Sequence, residues 1–280
     1  MKYSIVLLFI LSALLSMAQG EEGSSDNWLS DFTYDRNVVR EREPMAYPKL
    51  READVMYRRR IHRVIDSREK QNMVMNWPKS HLGKLLYKAV TEGINGQRIP
   101  AYVNDSLFTQ YTIEEVLKLG GTETVIPIYD EYGTYLYDSI IKESYRPTDI
   151  VKYEIVEDWI FDKQSGQYFP RIIGIAPYYK PVAQGVDLGE QALFWVNYQD
   201  LRKIIVNQQL FNRHNDAMRL TYYDFFELRF FSSYAVKEPN EFDYYIKNFP
   251  EYKDDPYAAL IKSETIKEEL FNWEHDLWEY

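Results

Sequence analysis

Val151-Lys152-Tyr153-Glu154-Ile155-Val156-Glu157-Asp158-Trp159-Ile160-Phe161-Asp162 reads as a strand with one buried face. Val151, Tyr153, Ile155, Trp159 and Phe161 fall on odd positions and Lys152, Glu154, Asp158 and Asp162 on even ones. That is the period of two which sends alternate side chains to opposite faces of a sheet. Glu157 interrupts the apolar row. A polar run, Asp162-Lys163-Gln164-Ser165-Gly166-Gln167, follows, with Gly166 free to take a positive φ, and Tyr168 to Ile175 resumes the pattern through Phe169, Ile172, Ile173 and Ile175. The spacing predicts a hairpin ending at Pro177. A third run, Leu193-Phe194-Trp195-Val196-Asn197-Tyr198, is apolar on both faces apart from Asn197, so it belongs inside a sheet packed on both sides.

Outward from this sheet, helix and strand signals alternate. Upstream, Arg51 to about Asn72 fits a helix, with Tyr57, Ile61, Val64 and Ile65 on one side and Arg59, Arg63, Asp66 and Lys70 opposite. Arg58-Arg59-Arg60 and Arg63 then make a basic band. It is either a solvated face with local pairs such as Arg63 to Asp66 or a surface that meets carboxylates on a neighbouring subunit. Ser80 reads as the N-cap of a helix bearing Leu82, Leu85, Leu86 and Val90, closed by Gly93. Ile99 to Val103 suggests a short strand, and Thr112-Ile113-Glu114-Glu115 is a capping box. Val125–Tyr129 and Thr134–Ile141 frame a second hairpin. Downstream, Leu201 to Leu210 reads as a helix, and Thr221 with Asp224 caps another that is aromatic enough to be buried on most sides. Ser263 to Tyr280 forms an acidic amphipathic helix on Ile266, Leu270, Trp273 and Leu277, with Trp278 near its end; it closes its own domain or enters a partner groove.

The 280 residues contain 45% hydrophobic side chains, enough for a substantial core, and 25 tyrosines whose hydroxyls need partners or an edge position. Lys2, the apolar run Ile5–Leu15 and Ser16-Met17-Ala18 make a secretory signal peptide over residues 1–18, too short to span a bilayer, which takes about 20 apolar residues. No cysteine follows it, or stands anywhere in the chain, so neither a lipid anchor of its own nor disulfides are expected. The net charge of −10 argues against nucleic acid and anionic lipid as partners. Residues 19–50 read as an extended arm, yet Trp28, Leu29, Phe32 and Tyr34 lie in it, side chains suited to docking on a partner or on the protein's own body, the alternative being plain exposure.

Catalytic signatures are missing. The four histidines, at 62, 81, 214 and 275, show no metal-ligand spacing, and no nucleophile elbow, P-loop or dinucleotide fingerprint is present. The enzyme alternative is a periplasmic glycoside hydrolase, which needs two carboxylates roughly 5–9 Å apart beside aromatic platforms. Glu157, Asp158, Glu190, Asp200, Asp224 and Glu227 lie in or near the aromatic region, though charge pairing, such as Glu227 with Arg229 or Arg171, also accounts for them.

Three blocks, Arg171–Pro177, Leu193–Arg202 and Leu220–Arg229, together with Val55–Met75, the signal peptide and the arm, resemble the gliding motility protein GldN, called PorN in non-gliding bacteria. The resemblance spans about Trp28 to Tyr234. It implies a periplasmic subunit of the type IX secretion system, associated with the outer membrane by forming a ring with the lipoprotein GldK (PorK). The ring is coupled to the motor-stalk protein GldM (PorM), and through it indirectly to GldL (PorL), for protein export and adhesin movement. It implies no catalytic, cofactor-binding or metal residue. The combined expectation is an α+β protein with a mixed, mainly antiparallel sheet and flanking helices. It is divided into a signal peptide (1–18), an arm (19–50), a core (51–256) and a C-terminal helix (257–280). Partner contacts are expected at Trp28, Leu29, Phe32, Tyr34, Arg59 and Arg63.

Overall fold

The computed structural model describes residues 42–119, 122–129, 135–143, 146, 149–180, 182–183, 186–187, 189–213, 215 and 218–276. All but residue 42 lie in one unit, Glu43–Tyr280. The strands of its first half are β1 (Val55–Asp66), β2 (Ala101–Tyr102), β3 (Thr122–Tyr129), β4 (Tyr135–Glu143), β5 (Lys152–Asp162) and β6 (Gln167–Tyr179). Short strands follow: β7 (Val182–Ala183), β8 (Val186–Asp187), β9 (Gln191–Ala192), β10 (Trp195–Asn197), β11 (Gln209–Leu210), β12 (Leu220–Thr221) and β13 (Tyr234–Lys237). The helices are α1 (Leu82–Thr91), α2 (Ile113–Lys118), α3 (Tyr198–Ile205), α4 (Tyr222–Glu227) and α5 (Pro256–Asp276).

The main sheet runs β13-β1-β5-β6-β10-β2, with β9 added to the end of β6, and every pairing in it is antiparallel. The fold class expected from sequence, α+β with a mainly antiparallel sheet and flanking helices, is the one observed. At its centre is the β5–β6 hairpin, in register from Lys152↔Tyr178 to Asp162↔Gln167. A bulge beside Glu157 steps the pairing from Val156↔Gly174 to Glu157↔Ile172, leaving Ile173 over, where the apolar alternation also falters. The turn closes through Gly166 at φ 65°, whose N–H donates to Asp162 O at 2.8 Å. The Asp162 carboxylate accepts from Gln164 N at 2.9 Å and from the Ser165 hydroxyl at 2.7 Å, and these bonds hold its pKa below the usual carboxylate range. β6 runs two residues beyond Pro177, with the Pro177 carbonyl accepting from Leu193 N.

The segment expected as a helix from Arg51 is instead strand β1, flanked on one side by β5 and on the other by β13. Tyr57, Ile61 and Ile65 satisfy a helical and a strand period equally, because a spacing of four is also an even number. The deciding feature is that β1 is a central strand packed on both sides, so its polar residues alternate too. Arg59, Ile61, Arg63 and Ile65 take one face, and Arg58, Arg60, His62 and Val64 the other. Their charges are answered by carboxylates and carbonyls of neighbouring elements, even where, as at Arg58, the side chain also reaches water, and this blurs the polar/apolar contrast a one-sided strand shows.

Helices α1, α3 and α4 cover one part of the sheet, where Ile65, Tyr153, Ile155, Ile175, Val196, Leu201 and Phe226 form the largest apolar cluster. α5 covers another, its Ile266, Leu270 and Trp273 packing on Ile61, Trp159, Phe161 and Tyr168. A smaller cluster of Tyr102, Val156, Ala176 and Trp195 fills the opposite face. Both capping boxes form, at Thr112/Glu115 and Thr221/Asp224. The N-cap of α1 is His81, not Ser80, whose hydroxyl donates to Gln209 O at 2.7 Å. β10 lies between β6 and β2, and Asn197 turns the chain into α3 by accepting from Gln199 N. That helix therefore starts ahead of Leu201. The second expected hairpin is β3–β4, a separate two-stranded sheet.

Candidate interaction surface

The arginines of the supposed helical band are spread over both faces of β1, each with partners inside the chain. Arg58 and Arg60 lie 2.8 and 2.7 Å from the carboxylate of Asp158 on β5. Arg59 reaches Glu238 after β13 and Glu269 on α5, the latter at 3.1 Å. Arg63 is 7% exposed and donates to the Ser233 hydroxyl at 2.9 Å and to the Ser233 carbonyl at 3.0 Å. Burial lowers its pKa from the ordinary guanidinium value, opposed by the charge of Glu157. Asp66 holds Arg68, not Arg63. The other expected contact residues, Trp28, Leu29, Phe32 and Tyr34, lie outside the described residues, as do the signal segment and Trp278.

The six carboxylates that could have served a glycosidase each have a neighbour. Glu157, fully buried, pairs with Arg229 at 3.0 Å. Asp158 carries the two arginines above. Glu190 pairs with Lys152 at 2.7 Å, Asp200 with Lys203 at 3.3 Å, and Asp224 closes the cap of α4. Glu227 lies 3.0 Å from Arg202, not beside Arg229 or Arg171, and accepts from the hydroxyls of Tyr47 at 2.8 Å and Tyr198 at 3.3 Å. Arg202 lies 3.8 Å from the centre of the Tyr47 ring and donates to Met45 O at 2.6 Å, fastening residues 45–47 onto α3 and α4. Arg171 bonds Pro48 O at 3.1 Å. Burial pushes the Tyr47 hydroxyl well above the ordinary tyrosine pKa, and its bond to Glu227 adds to that.

A second polar cluster went unread in the sequence. His62 Nδ1 lies 2.7 Å from Glu154 Oε1, and Glu154, fully buried, also accepts from the hydroxyls of Tyr178 and of Tyr245, the latter at 3.2 Å. Asp105 stands 3.5 Å from His62 Nε2. Burial raises the pKa of both Tyr178 and Tyr245 far above the ordinary value, reinforced by the Glu154 charge. The only hint in sequence was Glu154 on an even position opposite apolar residues. Its partners come from three other elements, which no local spacing reveals. Among the described residues no group of three or more His, Asp or Glu is placed to hold a metal ion.

Large apolar side chains remain outside. Phe108 is 89% exposed, and Phe242 stacks on Tyr244 with ring centres 5.6 Å apart in the loop before α5. α5 itself is two-sided: Ser263, Ile266 and Leu270 are buried, while Tyr257, Leu260, Ile261 and Phe271 face out. No helix of the described residues is long and apolar enough to cross a membrane.

An antiparallel sheet flanked by helices, with its buried carboxylates paired and large aromatic side chains left at the surface, defines the class as an α+β protein built around one main sheet. The family described as Gliding motility associated protein GldN matches residues 50–279, and the chain belongs to that family. It is thereby a component of the gliding motility and type IX secretion machinery, in a family known for structure and not for catalysis. A comparison with curated proteins finds no match.

Proposed function

We propose that this chain is a non-enzymatic structural subunit of a periplasmic ring. In this reading residues 1–18 direct export, the lipoprotein GldK (PorK) ties the chain to the outer membrane, and neighbouring copies share the ring. GldM (PorM) delivers the work of the inner-membrane motor, with GldL (PorL) acting through it. The observation that carries the reading is the family match across residues 50–279. Deleting the gene abolishes export of proteins with C-terminal sorting signals; normal export in a clean deletion overturns it.

Within that reading the arm is the lipoprotein contact. Replacing Trp28, Leu29, Phe32 and Tyr34 together by Ala weakens lipoprotein co-purification while leaving the circular dichroism of the body unchanged, and undiminished co-purification removes the arm from the interface. Arg59 exchanges Glu269, itself half-exposed, for a carboxylate on a neighbouring subunit, while Arg63, bonded to Ser233, ties β1 to the segment before β13. Arg59→Glu then lowers the salt concentration at which the isolated complex falls apart, and an unaltered salt threshold returns Arg59 to a purely internal role.

A further inference from the structure

β13, the turn at Ile246–Asn248 and the first half of α5 enclose a pocket of about 210 Å³. Val64, Ala235, Ile246 and Ala259 supply apolar lining, and Tyr178, Tyr234 and Tyr245 supply rings. The space is below the ~300–1,000 Å³ of ordinary small-molecule sites. A cavity of about 150 Å³ already accepts benzene, so this one has the capacity of a single aromatic side chain. Two of its walls are fixed in advance, because Glu154 holds the hydroxyls of both Tyr178 and Tyr245.

The charge around the pocket is opposite to that of the chain. Lys152, Lys247 and Glu190 line it, and Lys180 lies 3.6 Å from the Glu190 carboxylate that holds Lys152 at 2.7 Å. Two lysines thus share one glutamate, and Lys247 adds a third positive charge to the lining, on a protein of net charge −10. Lys247 lies 6.0 Å from the centre of the Tyr245 ring, beside the opening. Ser263 also lines the pocket, and its shielded hydroxyl has no hydrogen-bond partner among the described residues, so an occupant with a polar tip is favoured over a hydrocarbon one.

We propose that this pocket anchors one tyrosine or tryptophan side chain projecting from an acidic segment of a partner polypeptide. The aromatic ring supplies the buried area and the flanking carboxylates meet Lys152, Lys180 and Lys247, the arrangement of an interface hot spot with a charged rim. The proposal stands on the pocket alone, so its failure leaves the export experiment above untouched.

The test uses the full chain without its signal segment and a fluorescein-labelled peptide, Glu-Asp-Tyr-Asp-Glu-amide, followed by fluorescence anisotropy. Saturable binding is expected, weakened at least about tenfold when the tyrosine is replaced by alanine. Ala259→Trp, which fills the space, abolishes it with circular dichroism unchanged. Lys247→Glu, at an exposed position where folding is not at stake, weakens it several-fold and reduces its salt dependence. Absence of saturable binding, equal binding of the alanine peptide, or binding to Lys247→Glu as to the parent overturns the proposal. Equal affinity for N-acetyltyrosinamide overturns the polypeptide occupant in favour of a small-molecule one.

Discussion

Arg229 illustrates at the level of one residue why the buried carboxylates belong to the scaffold. Glu157 has no exposure to water and lies 3.0 Å from the Arg229 guanidinium, which also rests 5.5 Å from the centre of the Trp159 ring. Arg229→Met strands that carboxylate, and a loss of about 3–5 kcal/mol in urea unfolding is expected. Glu157→Gln with Arg229→Met recovers much of it; a loss for the single variant below ~1 kcal/mol contradicts the pairing. His81 offers a pH signature. Its Nδ1 accepts the Gly83 N–H at 3.1 Å, which requires the neutral ring, and burial lowers its pKa while Asp149 opposes the shift. With the folded value below that of the unfolded chain, unfolding takes up a proton, so the cap's contribution is complete above the ordinary value of ~6.5 and fades as pH falls. His81→Asn, another good N-cap, should flatten the difference in unfolding midpoint between neutral and mildly acid solution. Sequence made the caps at Thr112 and Thr221 legible because donor and acceptor are three residues apart. It misassigned the cap at His81 because Ser80 is recruited by Gln209, a contact that exists only after folding.

Among the elements, the β5–β6 hairpin was legible from alternation and a glycine turn, while β1 was not. A strand with the sheet continuing on both sides and packing over both faces needs no polar/apolar alternation, and its arginines mimic the solvated face of a helix. The same ambiguity makes α5 informative. Its inner face was readable as Ile266, Leu270 and Trp273, but spacing alone could not say whether that face meets its own sheet. It does: the Trp273 ring lies 4.5 Å from Tyr57, 4.7 Å from Tyr168 and 5.6 Å from Phe161, centre to centre. Two of those rings belong to the β5–β6 hairpin and one to β1, so a single helix residue clamps three strands. Trp273→Ala is expected to cost about 2–4 kcal/mol, through lost burial and lost ring contacts, and to raise amide exchange in β1 and along α5. A change confined to α5 would mean that the sheet does not depend on it.

For the molecule as a whole, the tyrosines link composition to rigidity. The 25 tyrosines were an ambiguous feature of the sequence, equally suited to surface and interior. The fold sorts them. Tyr198 and Tyr222 are fully buried, and the hydroxyls of Tyr47, Tyr178, Tyr198 and Tyr245 donate hydrogen bonds to two carboxylates, Glu227 and Glu154. Burial and these carboxylates raise all four pKa values far above the ordinary ~10, and burial, helped by the charges of Glu190, Asp66 and Glu69, brings Tyr234 to about 12. Because the folded values lie above the unfolded one, this part of the stability is fully present below pH ~10 and is lost as alkali titrates the unfolded chain first. Tyrosinate absorbance should therefore rise in two stages. The second stage is abrupt, because the buried set ionises only with loss of near-ultraviolet circular dichroism. One broad titration near pH ~10 with tertiary structure intact would show that the hydroxyls are reachable by water, and that the two carboxylate clusters do not lock the sheet to the segments packed over it.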